Sequence, residues 1–194
     1  MNINGYRICP NADLRGAILR GADLTNADLT RAKLAGADLT GARLPFADLT
    51  AAELTGAKLT DAYLHRAKLP GANLTRADLT GANVKRANLH RANLTRADLT
   101  VANLTRAKLA GADLDGANLA DTKLIGANLT GANLTNADLT GANLTRANLT
   151  GADANDSDLR GADLEGTWVL RASMTGARFD DGMTDQMRER GALV

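Results

Sequence analysis

The sequence predicts an all-β solenoid, a chain wound into coils whose sides are short extended pieces. Three observations carry this. From Ala12 to Asp181 the chain divides into 34 consecutive pentads of the form Ala-(Asp/Asn)-Leu-Thr-x, and the phase never slips. The first slot is Ala in 31 of the 34 and the third is Leu in 29, so one small and one large apolar residue recur at fixed places. Finally, a period of five suits neither regular element. On a helix, five residues displace successive leucines by ~140°, which leaves no apolar stripe. A flat strand needs period two.

A bent strand satisfies the pattern. Slots one and three lie two residues apart and point to one side, and slots two and four point to the other. The fifth slot is Gly in 16 pentads and Arg in 9, and there the chain turns a corner, which Gly tolerates through positive φ. Ala and Leu thus face inward and Asp, Asn and Thr face outward.

"GADLTNADLT" at 21–30 and "GANLTRANLT" at 141–150 resemble the pentapeptide-repeat proteins, and the likeness covers about 170 of 194 residues. The resemblance implies a right-handed quadrilateral β-helix with four pentads per coil. The 34 pentads then make about 8.5 coils, which at roughly 4.8 Å each give a prism about 40 Å tall. Each coil contacts only its neighbours. Ala154 in a leucine slot leaves less apolar filling near the C-terminal end.

In chain order, residues 1–11 are expected to form an N-terminal cap, 12–181 the repeat, and 182–194 a capping helix and tail. Continuing the phase backward puts Arg7 in an alanine slot, which it cannot fill, and Cys9 in a leucine slot, as a small buried hydrophobe. At the other end "GMTDQMRERGALV" breaks the repeat. A short helix is expected at about 185–190, with Thr184 or Asp185 as N-cap and Gly191 as C-cap. Met183 and Met187, four apart, are placed against the last coil.

Composition excludes several functions. The net charge is +1, so no overall field steers the chain toward nucleic acid. One cysteine allows no internal disulfide. No apolar run approaches the ~18–20 residues of a membrane span. The first residues lack a charged region followed by an apolar one, so a cytoplasmic location is expected. The two histidines, His65 and His90, lie 25 residues apart. No zinc-ligand spacing, phosphate loop or Ser-His-Asp signature is present. The chain is read as a non-enzyme without metal or cofactor.

The implied four sides let outward residues be sorted by face with a twenty-residue period. We number the faces by their first pentads, at Ala12, Ala17, Ala22 and Ala27. Face 2 carries nine Asp, among them Asp38, Asp78, Asp98, Asp138 and Asp158, against four cations, a net of −5. Face 3 nets +4, face 4 +3 and face 1 −2. On face 3, "RLPF" at 43–46 and "YLHR" at 63–66 are one coil apart, which stacks Arg43 near Tyr63 and Phe46 near Arg66. His65 lies in the same stack, and Lys85 and Arg86 continue the columns. This basic–aromatic stretch is either local surface packing or a contact for a protein partner. Trp168 and Leu170, apolar in outward slots, are either buried under the C-terminal helix or a dimer or partner contact.

Two functions follow. One is a non-catalytic binding or scaffold module that offers flat, rigid, charged faces to a protein partner. The alternative comes from the resemblance: some pentapeptide-repeat proteins bind DNA gyrase or topoisomerase IV by mimicking duplex DNA and protect it from quinolones. DNA carries ~24 phosphates in ~40 Å, against −5 for face 2. Direct nucleic-acid or membrane binding is not favoured. A homodimer through the C-terminal end is a further expectation that the resemblance raises.

Overall fold

The computed structural model describes residues 2–194. Every second-slot residue from Asp13 to Asp158 forms a parallel bridge with the residue twenty positions on, as in Asp13 with Lys33 and Asp98 with Asn118. A twenty-residue ladder of five-residue sides is a four-sided coil. The coils are joined by repeating backbone hydrogen bonds. The Leu14 N–H donates to the Lys33 carbonyl (2.7 Å), the Lys33 N–H to the Ala12 carbonyl (2.9 Å) and the Gly16 N–H to the Ala35 carbonyl (3.0 Å). Each corner closes within its own coil, as where the Ala17 N–H donates to the Leu14 carbonyl (3.0 Å).

Every fifth-slot residue from Asn11 to Gly176 has positive φ while the fourth does not, the sign pattern of a type II turn. Glycine is therefore suited to these corners but not required. Phe46 (φ 59°) and Val101 (φ 53°) hold the same left-handed conformation. For β-branched Val101 it is costly. Inter-coil bonding imposes the corner whatever residue stands there.

Ala and Leu of the repeat form one continuous buried core. The exceptions in the alanine slot are hydroxyl residues that satisfy themselves. Thr122 donates to the Leu99 carbonyl (2.9 Å), Thr167 to that of Leu144 (2.9 Å) and Ser157 to that of Ala154 (2.7 Å). Among the described residues no buried side-chain N or O lacks a partner. Met174 stands one coil above the small Ala154 in the same buried column, where a flexible thioether can fill an irregular gap.

Second-slot Asp and Asn are tied to the backbone rather than merely solvated. The Asp98 carboxylate accepts from the Thr100 N–H (2.9 Å) and hydroxyl (2.5 Å). Asn93 and Thr95 repeat the arrangement. This Asx turn explains why the fourth slot favours Thr: its hydroxyl completes the turn that the acid or amide begins.

The N-terminal end is a hairpin, β1 (Asn2–Ile3) paired antiparallel with β2 (Tyr6–Arg7). Asn4 and Gly5 both have positive φ, as a type I′ turn requires. Ile8 is buried and Cys9 only half-buried, which corrects the expectation for Cys9. The hairpin offsets the two-residue alternation by one, so the inward side chain falls on Ile8. The Cys9 backbone nevertheless makes a repeat corner, accepting from the Ala12 N–H (3.2 Å).

At the other end α1 runs Met183–Glu189, two residues earlier than expected at its start. Gly182 (φ 78°) is the N-cap, not Thr184 or Asp185. No side chain caps this terminus, and Asp185 instead pairs with Arg188 (2.6 Å). Arg190 is the C-cap and Gly191 (φ 87°) follows it in the left-handed region. The Gly191 N–H donates to the Arg188 carbonyl and the Ala192 N–H to that of Met187, a Schellman closure. With the residues that cap it, the helix takes up 182–191, the length of two pentads. The repeat phase therefore survives: Ala192 is buried in an alanine slot and Leu193 bridges Ser173.

Candidate functional site

The basic–aromatic stretch assembles on face 3 as the spacing predicts. Arg43 and Tyr63 are bridged neighbours. Phe46 and His65 meet edge to face with centroids 6.0 Å apart, and the Arg66 guanidinium lies 5.7 Å from the centre of the Phe46 ring. Such a cation–π contact is worth about 0.5–1 kcal/mol at an exposed site. Phe46 and Tyr63 stay 46% and 50% exposed, so packing accounts for only half of each. Burial first, then the charges of Arg66, Arg86 and Lys85, hold the His65 imidazole below its usual pKa.

Phe46, Arg66, Arg86 and Arg106 occupy successive fifth slots and form one corner column, a rung apart (roughly 4.8 Å). Face 4 extends the strip. Residues 62–70, 82–91 and 102–110 hold Arg66, Lys68, Lys85, Arg86, Arg91, Arg106 and Lys108 and no Asp or Glu. Of these cations only Lys68 makes a salt bridge, to Asp48 (3.3 Å), among the described residues. No carboxylate lies within salt-bridge distance of the others, among the described residues.

Asp38, Asp78, Asp98, Asp138 and Asp158 share the second-slot column of face 2, but they are not equivalent. Asp38 lies 3.4 Å from Arg20. Asp158 is 6% exposed and held by Arg160 (2.6 Å) and Arg178 (2.7 Å). Hydrogen bonding from Arg160, with the charge of Arg178 added, lowers its pKa to about 2. It is a structural ion and not an open acid. Asp78, Asp98 and Asp138 have no salt bridge among the described residues, although Asp78 accepts from the Thr60 hydroxyl (2.7 Å).

At the C-terminal end Met187 is fully buried and Met183 half-buried against the core. Trp168 and Leu170 are not covered by the helix and remain 67% and 57% exposed. They line a surface groove of about 470 Å³ with Asn148, Thr150 and Arg190. Among the described residues no group of three or more His, Cys, Asp or Glu could hold a metal ion, and no helix is long and apolar enough to cross a membrane.

Three functional details escaped the sequence reading. Asn4 donates to the Ile18 carbonyl and the Tyr6 hydroxyl accepts from the Ile18 N–H (3.3 Å each), sealing the first coil. The signal was the Asn-Gly pair between Ile3 and Tyr6. Leu193 rejoins the ladder, which carrying the phase forward to Ala192 would have found. Arg190 donates to the Leu164 carbonyl (2.9 Å), and no sequence signal marks it.

A four-sided coil built from Ala/Leu pentads defines a repeat protein of the solenoid class. The family model described as Pentapeptide repeats matches residues 9–44 and, in overlapping copies, 47–181. The chain belongs to the pentapeptide-repeat family. It is similar to HetL, a pentapeptide repeat protein involved in heterocyst differentiation regulation in the cyanobacterium Nostoc sp. strain PCC 7120. The identity is 35% over 87% of this chain and 83% of that one, with a TM-score of 0.32. It is also similar to full-length QnrB1, a plasmid-mediated fluoroquinolone resistance protein, at 20% identity over 84% and 93%, TM-score 0.43. Rfr23, from the cyanobacterium Cyanothece 51142, is 33% identical over 56% of this chain and 60% of that one, TM-score 0.31. No curated protein matches the chain.

Proposed function

We propose that the protein is a scaffold that docks an acidic protein surface on the basic–aromatic strip of faces 3 and 4. The carrying observation is the acid-free run of seven cations over three consecutive coils, six of them without a salt bridge. Arg43, Phe46, Tyr63, His65, Arg66, Lys85 and Arg86 form its aromatic end. A rod held by inter-coil hydrogen bonds presents these side chains on a rigid backbone, so docking costs little backbone entropy. Phe46 and Tyr63 supply apolar anchors among cations, the mixture that interface centres favour. Phe46→Ala with Tyr63→Ala should lose the partners that wild type captures by cross-linking in cells. Unchanged capture would refute the strip.

A second reading places a type II topoisomerase on face 2, through Asp78, Asp98 and Asp138. Their lack of salt bridges favours it, and the modest face charge weighs against it. Titration into gyrase supercoiling with and without a quinolone tests it. Neither inhibition nor protection at micromolar protein ends that reading. Trp168 and Leu170, exposed beside one shared groove near the C-terminal end, are the surface we assign to a homodimer through that end.

A further inference from the structure

The acidic and basic faces are matched coil by coil. In the coil 72–91, face 2 carries Asp78 and face 3 carries Lys85 and Arg86. In 92–111 the pair is Asp98 and Arg106, in 112–131 Asp121 and Lys123, and in 132–151 Asp138 and Arg146. Across these four coils face 2 holds no cation and face 3 no acid. None of these residues makes a salt bridge within the rod, among the described residues. On the N-terminal side Lys58 joins face 2 and Asp38 is held by Arg20, and on the C-terminal side the match fails. In the next coil face 3 turns acidic with Asp163 and Glu165, while Asp158 already has two arginines.

We infer that the occupant of these faces is a second copy of this chain, docked side by side, face 2 of one rod on face 3 of the next. This rests on the reading of the charged faces as contact surfaces and names the partner. Both rods have the same twenty-residue ladder and hence the same rung spacing. Laid parallel with no axial shift, each acid row meets a cation row in all four coils. Laid antiparallel, coil 72–91 meets coil 132–151 and acid again meets cation in every coil. The contact is heterologous, because different faces meet. Faces 2 and 3 are adjacent sides of a four-sided rod, so each repetition turns a quarter-turn, and the assembly closes at four rods. Exposed ion pairs are individually weak and screened by salt, so the assembly is a low-salt one.

Sedimentation of the purified full chain tests this. At about 20 mM salt, where screening is weak, the mean mass should rise above the 20.2 kDa monomer with concentration, and at about 0.5 M it should return to it. The triple variant Asp78→Lys, Asp98→Lys, Asp138→Lys should be monomeric alone. So should Arg86→Glu, Arg106→Glu, Arg146→Glu. An equimolar mixture of the two should associate again, because each altered face now complements the other's. Circular dichroism confirms that each variant is folded before mixing. A monomer at low salt and about 100 μM, a mixture that stays monomeric, or an association unchanged at 0.5 M salt would each overturn the inference. The last outcome reports the apolar C-terminal contact instead. Monomeric protein with the Phe46 and Tyr63 result intact would leave the docking strip standing and remove only the self-assembly.

Discussion

The two ends of the rod face one hazard, an open edge of unpaired backbone that invites pairing with another chain. They meet it with different chemistry. At the N-terminal end a polar hairpin lies over the first coil, and Asn4 and Tyr6 satisfy the Ile18 backbone. At the C-terminal end the buried Met187 plugs the core, a helix crosses the opening, and Leu193 adds one more rung to face 1. The first cap sets the Asn4 and Tyr6 hydrogen bonds to Ile18 over the buried Ile8. The second is built from apolar contact and leaves Trp168, Leu170 and Leu193 in solvent. A coil touches only its neighbours, so the ends should respond to substitution independently.

That independence can be tested in order of effect. Met187→Ala removes a fully buried side chain and should cost about 2–4 kcal/mol. Hydrogen exchange should show the last coils opening while residues 12–31 stay protected. Uniform loss along the rod would show instead that the ends are coupled.

Asp158 comes next. Its folded pKa of about 2 lies below the ordinary carboxylate value, so it stabilises the fold above pH ~3.9, and that contribution is lost as pH falls toward 2. Between pH 4 and 2 the C-terminal coils should loosen, and Asp158→Asn should cost about 1–2 kcal/mol at pH 7 and flatten that acid limb. Asp13, paired with Arg15 in the first coil, has a similarly lowered pKa but is about half exposed, so the N-terminal end should show little acid response. Melting temperature against pH for the two Asp→Asn variants measures the difference.

Tyr6→Phe removes the acceptor for the Ile18 N–H and should cost about 1 kcal/mol, seen as faster exchange at that amide alone. Between the ends, Val101→Asn should raise stability by about 0.5–1 kcal/mol in denaturant unfolding, because Asn holds positive φ more readily than a β-branched residue. Trp168→Ser should change monomer stability by less than about 0.5 kcal/mol, since the indole is mostly solvated. A larger loss would mean that the groove beside it helps to hold the helix.

Much of this was legible in advance. The leucine and alanine slots, the corners, and the stacking of Arg43 on Tyr63 and Phe46 on Arg66 follow from a period of five once four sides are granted. Cys9 and Asp158 were not legible, for different reasons. The side that Cys9 faces depends on the hairpin before it, which shifts the alternation. Asp158 reads as one more repeat acid, and only the arginines two and twenty residues on make it structural.

The pentad phase, and hence which side of each strand is core, can be read from any short window, because a side chain's direction along an extended piece is a local property. The sequence also set the charge on each outward slot. Tertiary structure alone decided which residues twenty apart become neighbours, how each end is closed, and that Trp168 and Leu170 stay uncovered. Those outcomes depend on hydrogen bonds between coils and on the path of the chain past the last rung. No five-residue window contains either.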